Sequence, residues 1–178
     1  MTKRQKFRLA ERQAFDPFVL LTSGIDAGVS QANDEFPAYG RGAAGFGKRY
    51  GAELLDATSG GFAAMTFCAV LNQDPRYFRR GRGPVASRIA YSAEQQFSIR
   101  SDRGARQFNW SNIAGLLTSA SVANAYYPPP SRGFGLTMNR FAVGLAWGVV
   151  GGFGDEFWPD IRYKLFHRKQ NRAAGVIP

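Results

Sequence analysis

The 178 residues suit one compact domain or one multi-helix membrane unit, and a hydrophobic share of 44% excludes wholesale disorder. Charged residues make up 20% of the chain, below the usual soluble share of about 25%, yet a mean hydropathy of -0.28 is too low for an ordinary polytopic membrane protein. A net charge of +10 and a pI near 10.3 favour anionic partners: nucleic acid, acidic lipid headgroups or an acidic protein neighbour.

Residues 1–15 read as a basic N-terminal helix, with Phe7, Leu9, Ala10 and Ala14 loosely on one side of Lys3 to Ala14. Glu11 and Arg12 interrupt its only apolar stretch, so it holds no signal-peptide core; the chain is expected either not to use that export route or to be a mature form. Asp16-Pro17 closes this helix and opens the next, Phe18 to Ala32, because Asp caps well and Pro is tolerated at the first helical position. Asn33 to Gly42 reads as a loop, and Ala43 to Asn72 as a long helix stopped by Asp74-Pro75. A basic turn, Arg76 to Gly83, precedes a helix from Pro84 to about Ile99 and a polar stretch from Ser101 to Asn109. Trp110 to Tyr127 is the next expected helix, capped by Ser111 or Asn109 and ended by the triple proline at 128–130. The apolar segment Asn139 to Gly154 follows, then a break at Asp155 to Pro159, a basic helix from Asp160 to about Lys169, and a frayed tail over 170–178. No repeat and no domain boundary divides the chain, so one all-α unit over 1–178 is expected.

Small residues recur at four-residue spacing in most apolar segments. The rows are Gly24, Gly28 and Ala32; Ala43, Gly47 and Gly51; Gly60, Ala64 and Cys68; Gly115, Ser119 and Ala123; and Gly144, Gly148 and Gly152. On a helix each row shares one face and leaves a groove into which a second backbone can settle. Glycine in a helix costs roughly 0.5–1 kcal/mol relative to alanine, so such rows need close packing to offset it. The last row, flanked by Phe141, Val143, Leu145, Trp147 and Val149, is the expected contact with another subunit. A chain rich in Gly, Ala and Ser also produces such rows by chance.

None of these segments gives a clean run of about 20 apolar residues. Trp110, Tyr126, Tyr127, Trp147 and Trp158 do sit near segment ends, as interfacial anchors would. Half-buried hairpins or helices shielded in an oligomer therefore fit better than a simple span. A small outer-membrane β-barrel is the competing architecture, because Phe141 to Val149 alternates large and small side chains with period two. Against it, Ala43 to Leu71 and Trp110 to Tyr127 lack that alternation.

Catalytic signatures are missing from the sequence. No phosphate-binding loop, dinucleotide fingerprint or Cys/His metal spacing occurs, and no metal or cofactor is expected. Cys68, the single cysteine, reads as a buried structural thiol, and the single histidine, His167, lies in a basic segment without a partner. Asp155, Glu156 and Asp160 form an acidic cluster that helix capping around Pro159 explains more simply than catalysis. The Arg76 to Gly83 turn interleaves Arg76, Arg79, Arg80 and Arg82 with Tyr77 and Phe78. That pattern suits anionic headgroups or an acidic partner, and with less support a nucleic acid.

The stretches Phe46-Gly47-Lys48-Arg49-Tyr50-Gly51, Asn72-Gln73-Asp74-Pro75-Arg76-Tyr77-Phe78, Phe108-Asn109-Trp110-Ser111-Asn112, Asn124-Ala125-Tyr126-Tyr127-Pro128 and Glu156-Phe157-Trp158-Pro159-Asp160 resemble a family of uncharacterised bacterial envelope proteins. The resemblance runs from about Phe15 to Arg168 and implies a bacterial, exported protein whose relatives carry a leader. It assigns no activity and no functional residues. The expectation is a non-catalytic, membrane-associated structural or accessory subunit of the cell envelope, packing through glycine-rich helix faces against itself or other subunits. A cationic nucleic-acid-binding module and an enzyme using Asp155 and Glu156 are the rivals.

Overall fold

The computed structural model describes residues 1–173, side chains excepted at Phe18 and 166–173. Six α-helices carry the fold: α1 (Lys3–Ala14), α2 (Pro17–Ala32), α3 (Gly42–Val70), α4 (Val85–Glu94), α5 (Trp110–Tyr126) and α6 (Phe134–Ala173). Three short strands, β1 (Gln73–Asp74), β2 (Ser98–Ser101) and β3 (Arg106–Phe108), form an open antiparallel sheet in that order. The long helix α3 packs against α1, α2 and α5, while α6 lies on α5 and α4. The all-α architecture expected from the sequence is the one found. Of the tail expected over 170–178, residues up to Ala173 continue α6; 174–178 lie outside the described residues.

Local chemistry sets most boundaries. Thr2 and Gln5 cap α1 reciprocally: the Thr2 amide donates to Gln5 Oε1 at 2.8 Å and the Gln5 amide to Thr2 Oγ1 at 3.3 Å. Pro17 occupies the first position of α2. Asn109 caps α5 by accepting from the Asn112 amide at 3.1 Å, and the prolines from Pro128 end it.

One rival reading and two expected boundaries fail. The barrel alternative is overturned, since Phe141 to Val149 lies inside α6. The helix from Pro84 ends at Glu94, because Ser98 to Ser101 pairs with Arg106 to Phe108 around Gly104, whose φ of 90° suits the turn. Pro159 does not break the last segment. Proline removes the N–H that would bond the Asp155 carbonyl, yet α6 runs on as one helix. One residue along, the Glu156 carbonyl accepts from Arg79 Nε and Arg88 Nη2, both at 2.8 Å.

The interior is made of unusual material. Its fully buried apolar residues are alanines with Met65, Cys68 and Tyr127, and the largest side chains that are fully buried are Arg49, Lys6, Gln73 and Glu156. Arg49 has no carboxylate; it donates to the carbonyls of Glu35 at 3.0 Å, Phe36 at 3.2 Å and Gly40 at 2.8 Å. Lys6 reaches the Cys68 carbonyl at 3.0 Å and Asp102 at 2.7 Å. Buried charge is tolerated only when satisfied in this way.

Candidate interaction surface

Bulky apolar side chains lie outside. Along α6, Val143, Trp147, Val150, Trp158, Ile161 and Leu165 follow steps of three, four or eight residues, with exposed Gly154 completing the row. They share one face of the helix and run about 33 Å along its axis. Each is roughly half exposed or more: Trp147 at 53% and Trp158 at 60%. Helix α2 repeats the arrangement on a smaller scale. Its inner face is Ser23, Ala27 and Ser30; its outer face is Leu21, Ile25 and Val29. An ordinary soluble domain sorts these residues the other way.

The glycine rows explain how the inner faces close without bulk. A Cβ at Gly115 would stand 2.9 Å from the Ala64 backbone, and one at Gly60 would stand 3.3 Å from Ser119 Cβ. Gly60, Ala64, Gly115 and Ser119 therefore form a tight α3–α5 seam, reinforced by Ser119 Oγ donating to the Asp56 carbonyl at 2.7 Å. Cys68, buried as expected, donates to Ser111 Oγ at 3.1 Å in the same seam.

Gly144, Gly148 and Gly152 were expected to meet another subunit, and the structure corrects this. Their face is already filled within the chain, by Leu116, Gln96 and Ser92 respectively. A Cβ at Gly24 would stand 3.7 Å from Tyr50 of α3, whereas one at Gly28, Gly47 or Gly51 would meet nothing within 4 Å.

The arginine turn is corrected in part. Arg76 chelates Asp74, with Nε at 2.9 Å from Oδ1, and Arg79 pairs with Asp160. Arg80 donates its backbone amide to Glu156 Oε2 at 3.0 Å, and only Arg82 among the four has an exposed side chain with no described partner. Four groups from the turn and α4 converge on the fully buried Glu156 carboxylate: Arg88 Nε at 2.7 Å, the Gly81 and Arg80 amides, and the Tyr77 hydroxyl at 3.2 Å. Burial pushes Glu156 upward, but the hydrogen bonds from Arg88, Gly81 and Arg80 outweigh it and hold the carboxyl below its usual range. Asp160 is lowered by Arg79 and then Arg88. Glu156 and Asp160 thus anchor α6 to α4 rather than capping a helix, and Asp155 takes no part in this anchor.

The anchors divide as well. Trp110, Trp147 and Trp158 are all exposed, but Tyr127 is buried and Tyr126 half-buried. Both tyrosine hydroxyls donate to Asp56, that of Tyr127 at 2.7 Å, so this pair is a core fastening and not an interfacial belt. Arg140 lies 4.0 Å over the Tyr127 ring. Among the described residues, Glu53, one turn before Asp56, has no cation in hydrogen-bonding contact. Burial first, then Asp56, Asp26 and Glu35, raise its pKa to about 7. Sequence reasoning missed Asp56, because its tyrosine partners lie 70 and 71 residues away.

Among the described residues, no helix is long and apolar enough to cross a membrane, and no group of three His, Cys, Asp or Glu side chains is placed to hold a metal ion. No family model, curated protein or solved structure matches the chain, so its role is read from its own residues.

Proposed function

We propose that this chain is a non-catalytic, membrane-associated structural or accessory subunit of the bacterial cell envelope, which docks through the apolar face of α6. One observation carries the reading: the half-exposed row from Val143 to Leu165, with all three tryptophans outside a core of alanine, glycine and paired charges. Covering six such side chains is worth on the order of 5–10 kcal/mol before the costs of association. The membrane interface or a neighbouring subunit supplies that cover, with α6 lying along the surface instead of crossing it. The resemblance to bacterial envelope proteins supports the location, and the basic charge suits acidic headgroups.

Fractionation of the native protein tests this. The wild type is expected to stay with membranes through a high-salt wash, and Trp147→Glu/Trp158→Glu to be released into the soluble fraction while keeping its helical circular dichroism. Release of the wild type by salt alone would sink the proposal.

A further inference from the structure

Beside the first helix lies an open groove of about 550 Å³, lined by Met1, Gln5, Arg8, Leu9, Arg12 and Arg76. Arg8 and Arg12, one helical turn apart on α1, face the same hollow as Arg76 from the turn after β1. No acid is among the lining residues. The acids near it are engaged: Asp74 by Arg76, and Asp102 by Lys6 at 2.7 Å. Arg76 is already neutralised by Asp74, which leaves Arg8 and Arg12 as two guanidiniums with no described acidic partner at this hollow, and an anion with several oxygens relieves their repulsion while accepting forked hydrogen bonds.

We infer that this groove is a phosphate-anion site whose occupant is an anionic phospholipid headgroup. The inference rests on the membrane-associated reading and relocates its charged contact from the arginine turn to α1. The helix exposes Arg4, Arg8 and Arg12 on the side away from buried Lys6 and Ala10, with Phe7 beside them exposed at 40%. A nucleic-acid track would need a longer line of phosphate contacts than two cations without a described acidic partner at one hollow.

The test measures partition of the full chain onto phosphatidylcholine vesicles with and without phosphatidylglycerol. Arg8→Gln/Arg12→Gln is expected to lose about thirtyfold of the binding to anionic vesicles, from about 1 kcal/mol per cation near an acidic surface. Arg82→Gln/Lys48→Gln, which removes two charges outside the groove, is expected to lose no more than a few-fold. Equal losses in the two variants would overturn the site and leave the membrane reading standing. Inorganic phosphate that binds the wild type but not Arg8→Gln/Arg12→Gln, in a protein that ignores both vesicles, would overturn the headgroup and the membrane reading while the phosphate site survived. Displacement from anionic vesicles by a short duplex or single strand, with steep salt dependence, would overturn the lipid assignment in favour of nucleic acid.

Discussion

Where α3 crosses α5, Gly60, Ala64, Gly115 and Ser119 bring two backbones together with scarcely a side chain between them; on the outer face of α6, tryptophan, valine, isoleucine and leucine stand in the open. The two regions use one helical periodicity for opposite ends. The seam gains its stability from close van der Waals contact and a few polar links such as Ser119 to Asp56. The outer face leaves apolar area that the described residues do not cover. Small residues inside free the large ones for the outside. The contrast also explains why Arg49, Lys6 and Glu156 are buried, since a core of alanine and glycine leaves the fixing of helix positions to satisfied charges.

The contrast can be broken most severely at the inner side of α6. Arg88→Ala leaves Glu156 buried without its cation, and a loss of about 3–5 kcal/mol is expected, read from chemical denaturation. Next comes the unpaired carboxylate. The folded chain keeps the Glu53 proton up to about pH 7, whereas the unfolded chain releases it near the usual carboxylate value. Stability should therefore fall as pH rises between those values, by up to about 3 kcal/mol, and level off above. Glu53→Gln should remove this slope from a pH series of thermal melts. Glu156 has the opposite sign: its contribution is present at neutral pH and is lost on acidification below the usual carboxylate range.

Smaller changes sharpen the comparison. Gly115→Ala forces a methyl group against the Ala64 backbone and should cost about 1–3 kcal/mol. Gly47→Ala meets nothing within 4 Å and should stabilise the free chain by about 0.5–1 kcal/mol. The same substitution at the same spacing then has opposite signs, which melting temperatures of the two variants would show directly.

The helices were legible because their signals are local: the proline stop at Pro128, the Asn109 cap, the small-residue rows on α3 and α5. Which way each row faces was not. Gly144, Gly148 and Gly152 look ready for a partner helix, but the groups that fill them, Ser92, Gln96 and Leu116, come from elsewhere in the chain. Glu156 reads as a helix-end acid until Arg88, 68 residues away, is placed beside it. Pro159 reads as a stop, yet it is accommodated within α6 beside the cations bound at Glu156. Arg49 sits in a glycine-rich stretch without any local sign of burial, and the folded loop from Glu35 to Gly40 supplies the carbonyls that bury it. Local pattern determines the elements; distant partners determine which face of each becomes the surface.

The apolar face of α6 is the claim on which the account turns, and tryptophan emission reads it directly. With Trp110→Phe, the remaining indoles are Trp147 and Trp158, both on that face and both exposed in the isolated chain. Adding vesicles, or concentrating the protein until it assembles, should shift their emission to shorter wavelength and shield them from acrylamide. Emission that keeps its water-exposed maximum under every such condition would contradict the account.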